Sequence, residues 1–262
     1  MIDTHCHLTF PDFAGREAQV MDAARAVGVR AAITISTTSV DCYEVLALAR
    51  RLPSVWCTSG IHPLHADEGP HDWAAIERIA RDERCVAWGE LGLDNHYDNP
   101  PKDIQLSTLH DQLEVITRAN REIAKPIVIH CRKAFDELLP ILRDSGLPGD
   151  RFVFHCFTGN EREARMVLDF GAMISFTGVV TYTNAEDVRA AAAIVPTDRM
   201  MVETDAPFLT PAPHRGVRPN EPRHVVHIAR ALAEIKGIDP ADLERTLDAN
   251  AERFFGITIP RD

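Results

Sequence analysis

Short apolar runs alternate with amphipathic stretches from one end of the chain to the other. Met1–His5, Arg30–Ser36, Ser54–Gly60, Cys85–Glu90, Pro126–His130, Arg151–His155, Met173–Phe176 and Met200–Glu203 read as strands. They are mostly apolar on both sides, as a parallel sheet buried on both faces requires. Between them apolar positions recur every three or four residues. Gly15–Val27 puts Val20, Ala23, Ala24 and Val27 on one helical face and stops at Gly28. Val40–Arg51, Trp73–Arg81, Ile104–Glu122, Phe135–Ser145, Glu161–Phe170 and Asn184–Val195 follow as helices, and Arg223–Lys236 and Pro240–Asn250 close the chain. Eight β/α units in 262 residues is the arithmetic of one (β/α)8 TIM barrel spanning 1–262 with closing helices. A doubly wound open sheet is the alternative. It would want a Gly-rich phosphate loop after an early strand, and neither G-x-G-x-x-G nor G-x-x-x-x-G-K-[ST] occurs. Pro207–Pro222 reads as a long loop after strand eight.

Composition narrows the function classes. A net charge of −11 argues against a surface that coats nucleic acid or membranes, though not against a phosphate held in a metal-lined cleft. Six cysteines without a C-x-x-C pair predict free, mostly buried thiols in a reducing compartment. No secretory signal and no membrane-length apolar run are visible, so a soluble cytoplasmic protein, taken as a monomer, is expected. The odd feature is 12 His.

Their positions carry the chemistry. His5 and His7 lie at the end of strand one, Glu90 ends strand four, His130 ends strand five, His155 ends strand six and Asp205 follows strand eight. In a barrel all these ends meet at one mouth, where such folds place their active sites. Strand alternation lets His5 and His7 point the same way. Imidazoles and carboxylates suit Mg²⁺, Mn²⁺, Fe or Zn²⁺ without demanding thiolate. Six donors exceed the needs of one ion and suit two divalent ions, with Glu90 as bridge and Asp205 orienting or deprotonating the attacking water. Cys6, Cys131 and Cys156 adjoin these histidines, but alternation turns them toward barrel-wall packing. His62, at the end of strand three, could contact a substrate phosphate or be a loop histidine. His65, His71, His96 and His110 read as surface or helix-packing residues. Arg132 and Lys133 would rim the mouth. His214–His224, with three Arg and two His against one Glu, forms a positive island that reads either as a solvated loop or as a phosphate clamp, with Arg215 the candidate.

Several motifs carry a family resemblance. Asp3-x-His5-x-His7, Gly89-Glu90-Leu91-Gly92-Leu93-Asp94, Ile129-His130-Cys131-Arg132, His155-Cys156-Phe157-Thr158-Gly159 and Glu203-Thr204-Asp205-Ala206-Pro207-Phe208-Leu209 stand in the order and spacing of the TatD-type metal-dependent deoxyribonucleases. The likeness continues through His214-Arg215-Gly216 and Asn220-Glu221-Pro222 and covers nearly the whole chain. It implies a TIM barrel, divalent-metal-dependent nuclease activity on DNA, and often 3′ to 5′ exonuclease action on single strands or 3′ ends. It implies His5, His7, Glu90 and Asp205 at one metal, Glu90, His130 and His155 at the other, and Asp205 as catalytic base. It puts His62 and Arg132 on the substrate side. Asn95, Leu109 and Lys133 depart from the family pattern without removing a donor. Asn95 and Lys133 lie near the rim, where they bear on substrate choice. Two other readings stand beside this one. An amidohydrolase-type enzyme for a small ester, amide or phosphorylated metabolite would often use a carboxylated Lys at strand four, where this chain has Glu90 and where Lys125 lies too far back. A non-enzymatic binding or scaffold role would leave the donor set unexplained.

Overall fold

The computed structural model describes residues 1–260. Eight parallel strands pair in chain order: β1 (Ile2–Cys6), β2 (Ala31–Thr34), β3 (Val55–Ser59), β4 (Cys85–Asp94), β5 (Ile127–Arg132), β6 (Phe152–Phe154), β7 (Met173–Phe176) and β8 (Met200–Val202). An isolated parallel bridge between Cys6, at the end of β1, and Ala206, four residues past β8, brings the two ends of the sheet together. Helices α1 (Glu17–Arg25), α2 (Cys42–Arg51), α3 (Trp73–Ala80), α4 (Lys102–Ala119), α5 (Phe135–Asp144), α6 (Glu161–Phe170) and α7 (Glu186–Ile194) link successive strands. After β8 come α8 (Val225–Lys236) and α9 (Pro240–Phe255). This is the expected (β/α)8 TIM barrel. No helix among the described residues is long and apolar enough to cross a membrane.

Strand alternation sorts the side chains. Ile2, Ile33, Val128, Val153 and Met201 pack together with Trp56, and Phe255 from the end of α9 joins them. Cys57, Trp88, Ile129, Phe154, Ile174 and Val202 belong instead to the large cluster shared with the helices. Two residues beyond Val128, Val153 and Met201 stand His130, His155 and Glu203, so the period of two carries the apolar interior upward into a polar mouth.

Some boundaries differ from the sequence reading. β4 does not end at Glu90 but runs on to Asp94, and Glu90 sits inside it. The cause is a glycine pair. Gly89 (φ +102) and Gly92 (φ +147) flank Glu90, and the β4–β5 register shifts between Trp88 and Leu91. A Cβ on Gly89 would stand 2.4 Å from the Val128 carbonyl oxygen, and one on Gly92 would stand 1.9 Å from that of His130. The glycines therefore form a close backbone approach and a bulge that re-aims Glu90, not a strand end. β5 continues past His130 to Arg132, while β6 stops at Phe154, one residue before His155. α9 passes Asn250, which resembles a helix stop but is buried. Its Nδ2 donates to the carbonyls of Thr197 (2.7 Å) and Met200 (2.8 Å), and the helix ends instead at Gly256 (φ +66).

Gly92→Ala adds a clash with the His130 carbonyl to a left-handed strain, and should cost about 2–4 kcal/mol of stability. Urea denaturation of wild type and variant reads this directly. A loss below about 0.5 kcal/mol would show that the close approach is not required.

Candidate metal centre

The mouth opens into a cavity of about 730 Å³. Glu90 lies at its base, 2 % exposed, and its carboxylate meets four imidazoles. Oε1 lies 2.5 Å from His155 Nε2, 2.8 Å from His130 Nδ1 and 3.2 Å from His62 Nε2, and Oε2 lies 3.3 Å from His5 Nε2. Asp205 Oδ1 stands 3.4 Å from His7 Nε2 and 3.7 Å from His5 Nε2. All six donors singled out in the sequence therefore converge. Three overlapping groups are close enough to share a cation: His5–His7–Glu90, His62–Glu90–His130 and His5–His155–Glu203. Glu90 belongs to the first two. His62, read above as a substrate-side or loop residue, lies in the second of these groups.

The polar atoms fit a divalent cation. Both ring nitrogens of His5, with Nδ1 of His7 and of His155, are buried without an aligned hydrogen-bond partner. Buried imidazole nitrogens left in that state cost stability unless something coordinates them. The charges point the same way. Burial pushes the Glu90 carboxyl up, but His155, His62, His5 and the His130 hydrogen bond outweigh it and hold it well below the usual carboxylate range. Burial likewise opposes ionisation of Asp205, yet the His7 hydrogen bond and the His5 and His7 imidazoles keep its pKa below its ordinary value. Burial lowers His5, and lowers His62 to about 4, so both rings are neutral and able to ligate. Burial opposes charge on His155 and His130 as well, but the carboxylates facing them win and raise both. A bound cation would displace those protons.

Two carboxylates that the sequence reading quoted but left without a role hold the imidazoles in place. Asp94 Oδ2 lies 2.9 Å from His130 Nε2, which leaves Nδ1 facing Glu90. Glu203 Oε1 lies 3.3 Å from His155 Nδ1 and accepts the Cys156 N–H at 2.5 Å, while its Oε2 accepts the Ser175 hydroxyl at 2.7 Å. A carboxylate on the far nitrogen of a ligating imidazole fixes its tautomer and orientation. Both lie inside motifs quoted above, but their partners are imidazoles on other strands, so spacing along the chain does not show what they meet.

Backbone bonds tie β1 to the chain after β8. Asp205 N–H donates to His5 O (2.9 Å) and His7 N–H to Ala206 O (2.7 Å). Beneath them Asp3 accepts the Thr204 N–H (2.8 Å) and hydroxyl (2.5 Å). Among the described residues, the non-glycine ones with left-handed φ are Lys133, Cys156, Asp205 and Leu209, and all four line this cavity. Such strain costs stability and concentrates where function over-determines the backbone.

The neighbours divide. Cys6 and Cys131 are buried in apolar clusters as expected, with Cys131 touching the edge of the cavity. Cys156 also lines it, because φ +44 breaks the alternation that would have turned it away. Arg132, Lys133, His65 and His96 line the cavity too. His96 is exposed and His65 half-buried, in keeping with the surface reading, though both reach the rim of the cavity. Arg215 is placed elsewhere: its guanidinium lies over the Tyr182 ring, 4.2 Å from the centroid, and Arg218 from the same loop reaches the cavity instead. Lys125 donates to the carbonyls of Asp82 and Cys85 at the start of β4, far from any bridging position.

Comparison with known proteins identifies metal-dependent hydrolases among the relatives of this chain. Residues 2–256 match the family model described as TatD related DNase. The chain is 36 % identical over 264 residues to a protein of Escherichia coli strain K12 named uncharacterized metal-dependent hydrolase YcfH, covering 100 % of this chain and 97 % of that one. It is 35 % identical over 263 residues to the 3′-5′ ssDNA/RNA exonuclease TatD of Erwinia billingiae, covering 97 % and 98 %. The crystal structure of YjjV, a TatD homolog from Escherichia coli K12, superposes with a TM-score of 0.90 at 29 % identity, covering 98 % of each chain.

Asp94→Asn, which cannot hold His130 as a charged partner, should weaken divalent-metal affinity about 10–100-fold. Calorimetric titration of metal-stripped protein with Mn²⁺ or Zn²⁺ measures it, and unchanged affinity would mean that Asp94 does not orient the ring.

Proposed function

The chain belongs to the TatD-related DNase family of metal-dependent hydrolases, and from that footing we propose that it cleaves phosphodiester bonds in single-stranded DNA from the 3′ end, using two divalent ions. The observation that carries this reading is the position of Glu90, a buried carboxylate shared by the donor groups of β1 and β5. His5, His7, Glu90 and Asp205 would hold one ion; Glu90, His130 and His155 would hold the other, with His62 beside them. When bound, such ions supply Lewis acidity toward a phosphoryl oxygen and neutralise charge on the leaving oxygen.

The protein's own groups do the rest. Asp205, kept ionised and only 14 % exposed, faces the cavity and takes the proton of the attacking water. Arg132, Lys133 and Arg218 reach the same cavity and supply donors for non-bridging phosphate oxygens. These local cations support phosphate binding in a chain whose net charge is −11. The same reading takes the enzyme to work as a cytoplasmic monomer, in keeping with its six free cysteines.

Incubation of a 3′-labelled single-stranded oligonucleotide with Mg²⁺ or Mn²⁺ should release label first from the 3′ end, and EDTA should stop it. DNA left intact across several metals, strand lengths and label positions would refute the reading. Glu90→Ala should lower kcat by at least about 10³-fold with the fold retained, since it removes the shared carboxylate.

Acid should also inactivate the enzyme. His130 and His155 hold protons above their ordinary value when no ion competes, so lowering the pH favours the protonated, metal-free form. Activity should fall below about pH 6 and be partly restored by raising the metal concentration. A profile flat to pH 4, or a loss that metal cannot reverse, would contradict this.

A further inference from the structure

Two aromatic surfaces flank the donor cluster, and the chemistry of hydrolysis uses neither. Phe208 and Tyr97 are 40 % and 50 % exposed, among the few large hydrophobic side chains left open to solvent, and both line the mouth cavity. Phe208 packs edge-on against Phe10 (6.1 Å between centroids), and Phe10 stacks on His7 at 4.6 Å. His7 faces Asp205. One aromatic wall therefore starts at the donor set and runs outward along the β1 and β8 loops. Across the cavity Arg132 lies over Tyr97, 5.3 Å from the ring centroid, beside His96.

An apolar rim of this kind has no use in holding metal. It does not suit a bare phosphate, which the neighbouring Arg132, Lys133 and Arg218 would hold by charge. Flat rings beside cations form the pattern that binds single strands, with bases on the rings and phosphates on the cations. We infer that the Phe10–Phe208 wall is a stacking subsite for the terminal nucleobase of the strand, with Tyr97 and Arg132 receiving the next base on the opposite side of the donor set. A base seated on Phe208 must be unpaired, so the subsite selects single strands without reading sequence. This assignment rests on the phosphodiesterase reading above and adds the residues that seat the base.

The test uses a single-stranded oligonucleotide with 2-aminopurine at its 3′ terminus and an uncleavable phosphorothioate as its last linkage, with metal present. A matched strand ends in an abasic sugar. Wild-type protein should quench the 2-aminopurine and bind the abasic strand about tenfold more weakly. Phe208→Ala should abolish the quenching and weaken binding of the base-bearing strand by a similar factor. On the abasic strand the same substitution should add little, because the two losses remove one interaction. Phe208→Trp should restore both quenching and affinity. Quenching that survives Phe208→Ala and Phe10→Ala, or losses that multiply on the abasic strand, would overturn the assignment, as would failure of the strand to bind. Cleavage of an unmodified strand is scored separately. Quenching without cleavage removes the hydrolase reading and keeps the subsite; cleavage without quenching does the reverse.

Discussion

A carboxylate buried to 2 % exposure at the centre of four imidazoles is the constraint on which this molecule turns. Burying an ionised Glu90 costs several kcal/mol unless partners of opposite character surround it. His5, His62, His130 and His155 are those partners, and they come from four different strand segments. Only a closed barrel brings β1, β3, β5 and β6 to one axis, and only the glycine pair around Glu90 lets β4 lie close enough to β5 to aim the carboxylate there. Without a cation the arrangement is uncomfortable. Ring nitrogens of His5, His7 and His155 are buried without an aligned hydrogen bond, and the facing carboxylates raise the pKa of His130 and His155. Those are properties of a site shaped for ions, not of a core optimised for stability.

The bonds that bring the ends of the sheet together are made by residues of the donor cluster. The bonds from Asp205 to His5 and from His7 to Ala206 join β1 to the chain after β8, and each involves a donor residue. Asp3 and Thr204 brace that joint from below. Strain gathers at the same mouth, in the left-handed backbone of Lys133, Cys156, Asp205 and Leu209. The apolar interior below, from Ile2 to Met201, carries no such cost. The packed apolar interior lies below and the donor cluster at the upper rim, the division usual for this architecture.

The sequence made the eight strands and the convergence of six ligand-type side chains legible, because strand alternation and barrel topology are simple periodic rules. It misled where local punctuation was ambiguous. The strand read over Cys85–Glu90 runs on to Asp94 through the Gly89–Gly92 bulge, and the helix read over Pro240–Asn250 runs on to Phe255, with Asn250 a buried side chain satisfied by two carbonyls. The roles of Asp94 and Glu203 were hidden for a different reason. Their partners are imidazoles on other strands, and only the assembled barrel shows which ring nitrogen each one meets. His62 and Arg215 lie in irregular segments, which follow no period, so their places were not legible: His62 enters the donor cluster while Arg215 lies on Tyr182.

Anomalous diffraction at the manganese edge, from crystals grown with Mn²⁺, addresses the central claim most directly. Two peaks with the Glu90 carboxylate between them, one reached by His5, His7 and Asp205 and the other by His130 and His155, is the result this account predicts. A mouth without anomalous density at saturating metal, or ions bound without contact to Glu90, would contradict it.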